Sequence, residues 1–218
     1  MKRRSALLTL GAFSASIVLN QARAQSPQIG QNKGETSIPL PYSEISPPVN
    51  LETNRVHAII AFNCPVCMKL HATLDSWGKS LPKSFYFDFV PAITDRDSMV
   101  TALGWLAMRK VAADKLALFA SAIFRATQDR GLSPGSPEFW KSVMRDVGPV
   151  PHFQAALNTI RPTEIEGLQK VVRDFKVTAT PSIAICGKYV ITPDNTNGDP
   201  GLFIQVANGL VSKFMDRY

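Results

Sequence analysis

The sequence predicts an α/β protein in which a core of sheet and helix is interrupted by a block of helices. Three observations predict this fold class. A strand, a helix and a second strand follow one another in the first half of the chain. A long stretch with helical periodicity comes next, and a hairpin and a last helix close the chain.

The first strand is predicted at residues 56–62, an apolar run typical of a buried strand, and a helix follows at once. Residues 85–90 are rich in aromatic residues and predict the next strand. A strand, a helix and a strand in this order predict a right-handed parallel unit.

Residues 98–175 carry apolar residues at steps of three and four, which predicts several consecutive helices. The helices are expected to break at residues 131–135 and 148–151, which are rich in glycine and proline, and at residues 161–162.

The strand pattern returns at residues 182–185 and 189–191, and an amphipathic helix is expected from about residue 200 to residue 214. This order of elements is that of a thioredoxin-like fold with an inserted all-helical domain. The boundaries expected for its parts are 56–97 and 176–218 for the thioredoxin-like core, 98–175 for the helical insertion, and 25–55 for an extended, proline-rich lead-in with one edge strand near residues 42–45.

The first 24 residues are interpreted as a cleavable export signal. Three basic residues precede a mostly apolar stretch, and residues 22–24 have the small-x-small form of a signal-peptidase site. The stretch falls short of the ~20 apolar residues of a spanning helix, and an uncleaved anchor is the alternative. The general secretory route is preferred over the twin-arginine route. Cleavage would lower the formal net charge from +7 to +3, and because no basic run follows, nucleic-acid binding is set aside.

Cys64 and Cys67, separated by Pro65 and Val66, are the residues that carry chemistry. If Cys64 caps the helix, Pro65 takes the first helical position and Cys67 lies one turn into it. The N–H groups of the first turn and the helix dipole would then favour a thiolate at Cys64. We expect Cys64 to attack and Cys67 to be its buried resolving partner. Since the pair carries the electrons, no metal or organic cofactor is expected.

These features resemble the DsbA family of exported thiol:disulfide oxidoreductases, from about residue 56 to the end of the chain. The resemblance rests on Phe-x-Cys-Pro-x-Cys at residues 62–67, the size of the helical block, Thr180-Pro181 before a strand, and the hairpin at residues 186–189. It implies that Pro181 is cis and lies against the cysteine pair, and that Thr180 offers its backbone to an extended substrate. It also implies a quinone-linked membrane partner of the DsbB kind that reoxidises the enzyme.

Two positions near the cysteines depart from the best-known oxidant of that family. Val66 stands where that protein has a histidine, and its side chain cannot donate a hydrogen bond, so we expect Cys64 to be less acidic. The buried acid of the family falls on Ala58, with His57 as its only titratable neighbour in sequence. Proton handling during exchange is therefore a question that the resemblance leaves open.

An inert disulfide and a metal site are the alternatives for the cysteine pair. A disulfide around two residues constrains the unfolded chain little, so stability is a poor reason for it. A Cys3His set of Cys64, Cys67, His71 and Cys186 is the metal alternative. However, Cys186 is expected at the far end of a strand from Pro181, beyond the ~7 Å Cα separation that a disulfide tolerates.

The remaining candidates are expected to be structural. His71 is interpreted as a partly exposed surface residue, with a catalytic role as the alternative, and His57 as a hydrogen-bonded residue of a core strand. Trp77 and Trp105 are expected in the core or at a domain contact. Cys186 is interpreted as a bystander, with an exposed thiol open to intermolecular disulfides as the alternative.

We therefore expect an exported, periplasmic, monomeric enzyme that passes a Cys64–Cys67 disulfide to reduced substrate proteins. The closest alternative is a reductase or isomerase with the same site. Residues 25–55 are too short and proline-rich to be the separate dimerisation domain that isomerases of this superfamily generally use. A metal-binding carrier that uses Cys64, Cys67 and His71 is the alternative from another class.

Overall fold

The computed structural model describes residues 40–215, which lie in the compact unit Pro39–Tyr218. The predicted export signal, the first part of the predicted lead-in and residues 216–218 lie outside the described residues. The strands are β1 (Ser43–Glu44), β2 (Arg55–Ile60), β3 (Tyr86–Pro91), β4 (Ser182–Ile185) and β5 (Tyr189–Ile191). The helices are α1 (Pro65–Ser80), α2 (Arg96–Val111), α3 (Leu116–Phe124), α4 (Pro137–Val147), α5 (Phe153–Leu157), α6 (Pro162–Asp174) and α7 (Pro200–Met215).

Short helical turns of other types join these elements. Three are 3-10 turns, at Asn50–Glu52, Ala113–Lys115 and Pro193–Thr196, and a π-helical turn, Arg125–Asp129, continues α3. Within the described residues, no helix has the length and apolar character needed to cross a membrane.

The five strands form one sheet in the order β1-β5-β4-β2-β3. β2 and β3 are parallel, with α1 as their connection, which confirms the predicted parallel unit. β4 runs antiparallel to β2 and to β5, and β1 lies at the edge beside β5, where an edge strand was predicted. The sheet therefore places the end of β2, and with it the start of α1, next to the start of β4.

The interior strand β2 is covered on both faces, and its side chains alternate between them. Val56, Ala58 and Ile60 belong to the apolar cluster that includes α1, α3 and α7. Ile59 belongs to the second cluster, with residues of α2 and α6. Two layers of helix thus enclose the sheet, as expected for strands that are apolar throughout.

The helices α2 to α6 lie between β3 and β4 in the chain, and they break at the three predicted places. α2 begins at Arg96, two residues before the predicted start, because Asp95 caps it: the Asp95 carboxylate accepts from the Ser98 N–H at 2.8 Å. Ala102 and Leu106 of α2 pack in the cluster on the sheet. The first helix after β3, α2, therefore contributes to the core that covers the sheet. The boundaries predicted for the helical insertion and the thioredoxin-like core stay a prediction.

Candidate active site

Cys64 is the N-cap of α1, as predicted. Its backbone is extended (φ −89°, ψ 116°), Pro65 takes the first helical position, and the Cys64 Sγ accepts a hydrogen bond of 3.3 Å from the Cys67 N–H. Cys67 is fully buried, and its own Sγ accepts from the Ala61 N–H at 3.5 Å. Cysteine in place of the usual capping hydroxyl or carboxylate thus puts a sulfur where a helix N-terminus favours negative charge.

The two sulfurs, both thiols here, differ strongly in acidity. A hydrogen bond from the Cys67 thiol lowers the pKa of Cys64 to about 5; partial burial opposes this shift, and the Cys67 N–H, the Thr180 side chain and the Val66 N–H add to it. The same Cys64–Cys67 hydrogen bond, together with burial, raises the pKa of Cys67. Cys64 is therefore the sulfur that is ionised at neutral pH.

Val66 supports the thiolate through its backbone. Its side chain has no donor, but its N–H lowers the pKa of Cys64. The expectation that Cys64 is less acidic than in the best-known oxidant of the family stays a prediction, while the backbone contribution of Val66 follows from its place: a residue in the first helical turn presents an N–H to the capping sulfur whatever its side chain. The Val66 side chain is 41% exposed, which places an apolar group on the surface beside Cys64.

Thr180 lies against Cys64, although 116 positions separate the two in the chain. The Thr180–Pro181 peptide bond is cis, as predicted. The Cys64 thiol donates to the Thr180 carbonyl oxygen, with 3.2 Å between Sγ and O. Thr180 is half-buried, and β4 begins directly after Pro181. The geometry thus brings the predicted substrate-binding backbone to the predicted reactive sulfur.

Gln128 is a site residue that the sequence analysis missed. It lies in the π-helical turn that continues α3, and its side-chain amide donates to the carbonyl oxygens of Phe62 (2.8 Å) and Cys64 (3.0 Å). It therefore fixes the loop that carries Cys64 to the helical block. A lone glutamine near a helix end carries no motif, so only the three-dimensional fold shows this contact.

His71 is buried, not at the surface as expected. It is 3% exposed, it stacks on Phe89 at a centroid distance of 4.7 Å, and it meets Phe124 edge-on at 5.5 Å. His71 is buried because it lies four residues after Cys67, on the face of α1 that also carries Leu70 and Leu74 into the core. Burial lowers the pKa of His71 from its ordinary value; by smaller amounts, the charge of Asp75 raises it and that of Lys79 lowers it.

His57 is hydrogen-bonded and structural, as predicted. Its ring nitrogens contact the carboxylates of Asp88 on β3 (2.5 Å) and of Glu52 in the preceding turn (2.8 Å). Burial of His57 lowers its pKa, but the two carboxylates outweigh that effect and raise the pKa to about 9. The next residue, Ala58, is fully buried in β2. Alanine therefore occupies the position at which the resemblance places the buried acid of the family.

Cys186 is buried at 3% exposure, which overturns the alternative of an exposed thiol. Its N–H donates to the Arg55 carbonyl at the start of β2, whereas Cys64 follows the end of that strand. The strand length between them is roughly 16 Å at 3.3 Å per residue. In the part of the chain that the structure describes, no group of three or more His, Cys, Asp or Glu side chains could hold a metal ion.

Trp77 and Trp105 are both buried, which confirms that they are core residues. Trp105 lines a groove of about 480 Å³ with Phe87, Phe89 and Arg109, at the C-terminal end of α1. Neither cysteine of the pair lines this groove, so it is separate from the candidate active site.

No protein-family model matches the chain. Among curated proteins, it is similar to the "Thiol:disulfide interchange protein DsbA" of Pseudomonas aeruginosa, with 23% identity over 212 residues that cover 96% of each chain. It is also similar to the protein of the same name from Burkholderia cepacia, with 24% identity over 213 residues, 97% of this chain and 95% of the other.

Solved structures of similarly named proteins share the fold. The crystal structure of Pseudomonas aeruginosa DsbA superposes with a TM-score of 0.70 at 23% identity, over 80% of this chain and 92% of that one. The oxidoreductase DsbA from Xylella fastidiosa gives a TM-score of 0.65 at 22% identity, over 79% and 94%. These similarities confirm the predicted fold class, a thioredoxin-like sheet with a helical insertion.

Proposed function

We propose, from the premise that the chain belongs to the DsbA family of thiol:disulfide oxidoreductases, that it donates a Cys64–Cys67 disulfide to reduced substrate proteins. One observation carries the proposal: Cys64 caps α1, contacts the Thr180 carbonyl, and has its pKa lowered to about 5 beside a partner, Cys67, whose pKa is raised. One sulfur is thus prepared to leave or attack as a thiolate, and the other to keep its proton.

Each exchange would take place in two steps, beginning from the oxidised enzyme. A substrate thiolate attacks the Cys64 sulfur; the bond between Cys64 and Cys67 breaks, and Cys67 leaves and takes up a proton. A second substrate thiolate then attacks the sulfur that is bound to Cys64, and Cys64 leaves as a thiolate. Two substrate thiols have then lost two electrons to form a disulfide, and the enzyme's pair has gained them.

The acidity of Cys64 supports the oxidising direction over the reductase or isomerase alternative. A leaving thiol of low pKa departs fast, so Cys64 releases the oxidised substrate readily. Stabilisation of the Cys64 thiolate also stabilises the reduced enzyme, which makes the disulfide easier to reduce and hence a stronger oxidant. A reductase would instead need a disulfide that is harder to reduce, and therefore a Cys64 thiolate that is less stabilised.

Thr180 would hold the substrate after Cys64 has reacted. When the Cys64 thiol is protonated, the Thr180 carbonyl oxygen accepts from it. Neither the Cys64 thiolate nor a mixed disulfide at Cys64 carries that proton. The carbonyl can then accept from a backbone N–H of an extended substrate segment, as the edge of a sheet does. Pro181 lacks an N–H and so offers the substrate no backbone donor.

Turnover would require a second protein that removes the two electrons from the reduced pair. We propose a disulfide-bearing membrane protein of the DsbB kind, and export to the periplasm, where such partners and oxidising conditions occur. The enzyme would act as a monomer.

The proposal is tested with the residue 25–218 protein and a peptide that contains two cysteines. The oxidised protein should convert the peptide to its disulfide form, and Cys67→Ser should accumulate a mixed disulfide at Cys64. Cys186→Ser is the matched control and should behave as the wild type, because Cys186 lies at the other end of β2.

The reduction potential then distinguishes the direction. Equilibration in glutathione buffers, with acid quenching and mass analysis, should give a potential well above the ~−270 mV of thioredoxin. A potential at or below that value would reassign the protein as a reductase, and a pair that forms no disulfide in any buffer would reject thiol-disulfide exchange.

A further inference from the structure

Each turnover moves a proton on and off Cys67, and the structure gives this proton no acidic group at the place where the resemblance predicts one. Cys67 is fully buried, and so is Ala58, which stands at the predicted position of the acid. Burial disfavours the thiolate that Cys67 must become when it attacks a mixed disulfide. A base from another part of the molecule would remove this obstacle.

His71 is the buried histidine that follows Cys67 on the same face of α1. It is four residues after Cys67 in α1, and both side chains are on the buried face of the helix. Residues at this spacing have Cβ atoms about 5–6 Å apart. The Phe89 ring stacks on the imidazole from β3, and the Phe124 ring contacts it from α3. These two rings hold the imidazole in place inside the core.

The Nε2 atom of His71 is buried and has no hydrogen-bond partner. Buried polar atoms are nearly always paired, so an exception calls for an explanation. Among the described residues, Trp105 Nε1 and Thr127 Oγ1 are the other buried side-chain atoms without a partner. An indole N–H only donates and a hydroxyl is a weak base, so the imidazole alone of the three can take up a proton near neutral pH.

The surroundings of His71 favour its neutral, proton-accepting form. Burial disfavours the imidazolium; on its own helix, Asp75 acts in the other direction and Lys79 adds to the effect of burial. The rings of Phe89 and Phe124, which face it from the other elements, carry no charge. Cys67, four residues before it in α1, is the member of the cysteine pair that shares the buried face of the helix with it.

We propose that His71 accepts and returns the proton of Cys67, an inference that rests on the proposed exchange reaction. During reoxidation, the Cys64 thiolate attacks one sulfur of a partner's disulfide; that S–S bond breaks, the other partner sulfur leaves as a thiolate, and a mixed disulfide forms. The Cys67 proton then passes to His71 Nε2, and the Cys67 thiolate attacks the Cys64 sulfur. The partner sulfur that was bound to Cys64 leaves with the electron pair of the broken bond, and the imidazolium gives up its proton to it or to water. His71 is thus a positioning residue that acts through Cys67.

The test follows the two steps separately, with glutathione disulfide as the oxidant. Reduced protein is mixed with glutathione disulfide, and samples are quenched in acid at intervals. Mass spectrometry then resolves the reduced, glutathionylated and oxidised species. In the wild type, the rate at which Cys64 loses glutathione should vary little with pH between about 6.5 and 8.5. The reason is that the Cys67 proton passes to His71 and not to the solvent. In His71→Asn this step should slow about 100-fold at pH 7 and accelerate about tenfold per pH unit.

A matched control separates proton transfer from packing. Phe89→Leu disturbs the contact that holds His71 but keeps the imidazole, and it should retain the flat pH profile. His71→Gln is a second variant that should repeat the Asn result. Formation of the glutathionylated species at Cys64 should be unchanged in all of them.

Two outcomes would overturn the role of His71. One is a His71→Asn protein that resolves the intermediate at the wild-type rate with a flat profile. The other is a Phe89→Leu protein that also acquires the steep pH dependence, since packing alone would then account for it. Failure of the proposed function would look different: the wild type would form no glutathionylated Cys64 at all.

Discussion

The side-chain amide of Gln128 donates a hydrogen bond of 3.0 Å to the carbonyl oxygen of Cys64. The same amide nitrogen donates to the Phe62 carbonyl at 2.8 Å. Gln128 belongs to the helical block, whereas Phe62 and Cys64 belong to the loop between β2 and α1. The helical block therefore holds Cys64 at a fixed place above the sheet.

Replacing Gln128 by Leu should lower the free energy of unfolding by about 1–3 kcal/mol, because two partly buried carbonyl groups would lose their donor. Urea unfolding of the reduced protein measures this. Gln205→Leu is the matched control: Gln205 is an exposed residue of α7, and its change should stay within about 0.5 kcal/mol. Equal effects of the two substitutions would show that the Gln128 hydrogen bonds do not stabilise the loop.

The low pKa of Cys64 predicts that its reactivity persists in acid. The rate of alkylation by iodoacetamide should rise with pH around a midpoint of about 5, where the ordinary value is 9.0. Thr180→Val should move the midpoint upward, because the Thr180 side chain stabilises the thiolate. Cys186 should stay unmodified in the folded protein, since it is 3% exposed. A wild-type midpoint near 9 would contradict this assignment.

The same low pKa has a consequence for stability. Because the pKa of Cys64 is depressed in the folded state, the thiolate's contribution is complete above pH 9 and is lost as pH falls through about 5. The stability of the reduced wild type relative to Cys64→Ser should therefore increase from pH 5 to pH 9. Urea unfolding under reducing conditions at several pH values measures it. A difference that does not change over this range would mean that the thiolate is not stabilised.

The parts of the fold that depend on local patterns were predictable from the sequence. β2, β3 and the hairpin of β4 and β5 follow runs of apolar and aromatic residues, and α1 follows its Cys-Pro cap. The cysteine pair itself is a local motif. The cis bond before Pro181 and its nearness to Cys64 came from resemblance, since no local pattern links residues so distant in the chain.

The rest of the site depends on contacts between elements, which single-sequence patterns do not reveal. Gln128 contacts Cys64 only because a π-helical turn continues α3 toward the loop. The burial of His71 depends on Phe89 and Phe124, which arrive from other elements. A histidine on an amphipathic helix can be exposed or buried, and which of the two holds depends on the side chains that pack against it from other elements.

The contacts of His57 with two carboxylates predict that its contribution to the free energy of unfolding is lost at alkaline pH. Its pKa is raised to about 9 from 6.5, so its contribution is complete below pH 6.5 and is lost as pH rises through about 9. The contribution is about 3 kcal/mol, because a tenfold change in proton affinity corresponds to about 1.36 kcal/mol. The difference in unfolding free energy between the wild type and His57→Gln should therefore shrink between pH 6.5 and pH 9.

His152→Gln serves as the control for this measurement. His152 is exposed, so its replacement should not reproduce the result expected for His57→Gln. A direct titration of the His57 ring by NMR provides a second reading. If the ring lost its proton at or below pH 6.5, the carboxylates of Glu52 and Asp88 would not be holding an imidazolium.

Gly78 permits the close contact between α1 and β3, and this contact predicts the effect of adding one methyl group. A Cβ atom at Gly78 would lie 2.2 Å from the Phe87 ring. Gly78→Ala should therefore lower the unfolding free energy by about 1–3 kcal/mol, although alanine favours a helix by about 1 kcal/mol. Gly209→Ala in α7, where no atom lies within 4 Å of the new Cβ, should instead raise it by up to about 1 kcal/mol.

A double-mutant cycle identifies the cause. Phe87→Leu should make room for the new methyl group, so Gly78→Ala should destabilise the Phe87→Leu protein less than it destabilises the wild type. Trp77 also contacts the Phe87 ring, so Phe87→Leu alone will reduce stability, and the comparison must use the difference between the two backgrounds. If Gly78→Ala had the same effect in both backgrounds, the ring of Phe87 would not be what requires glycine at this position.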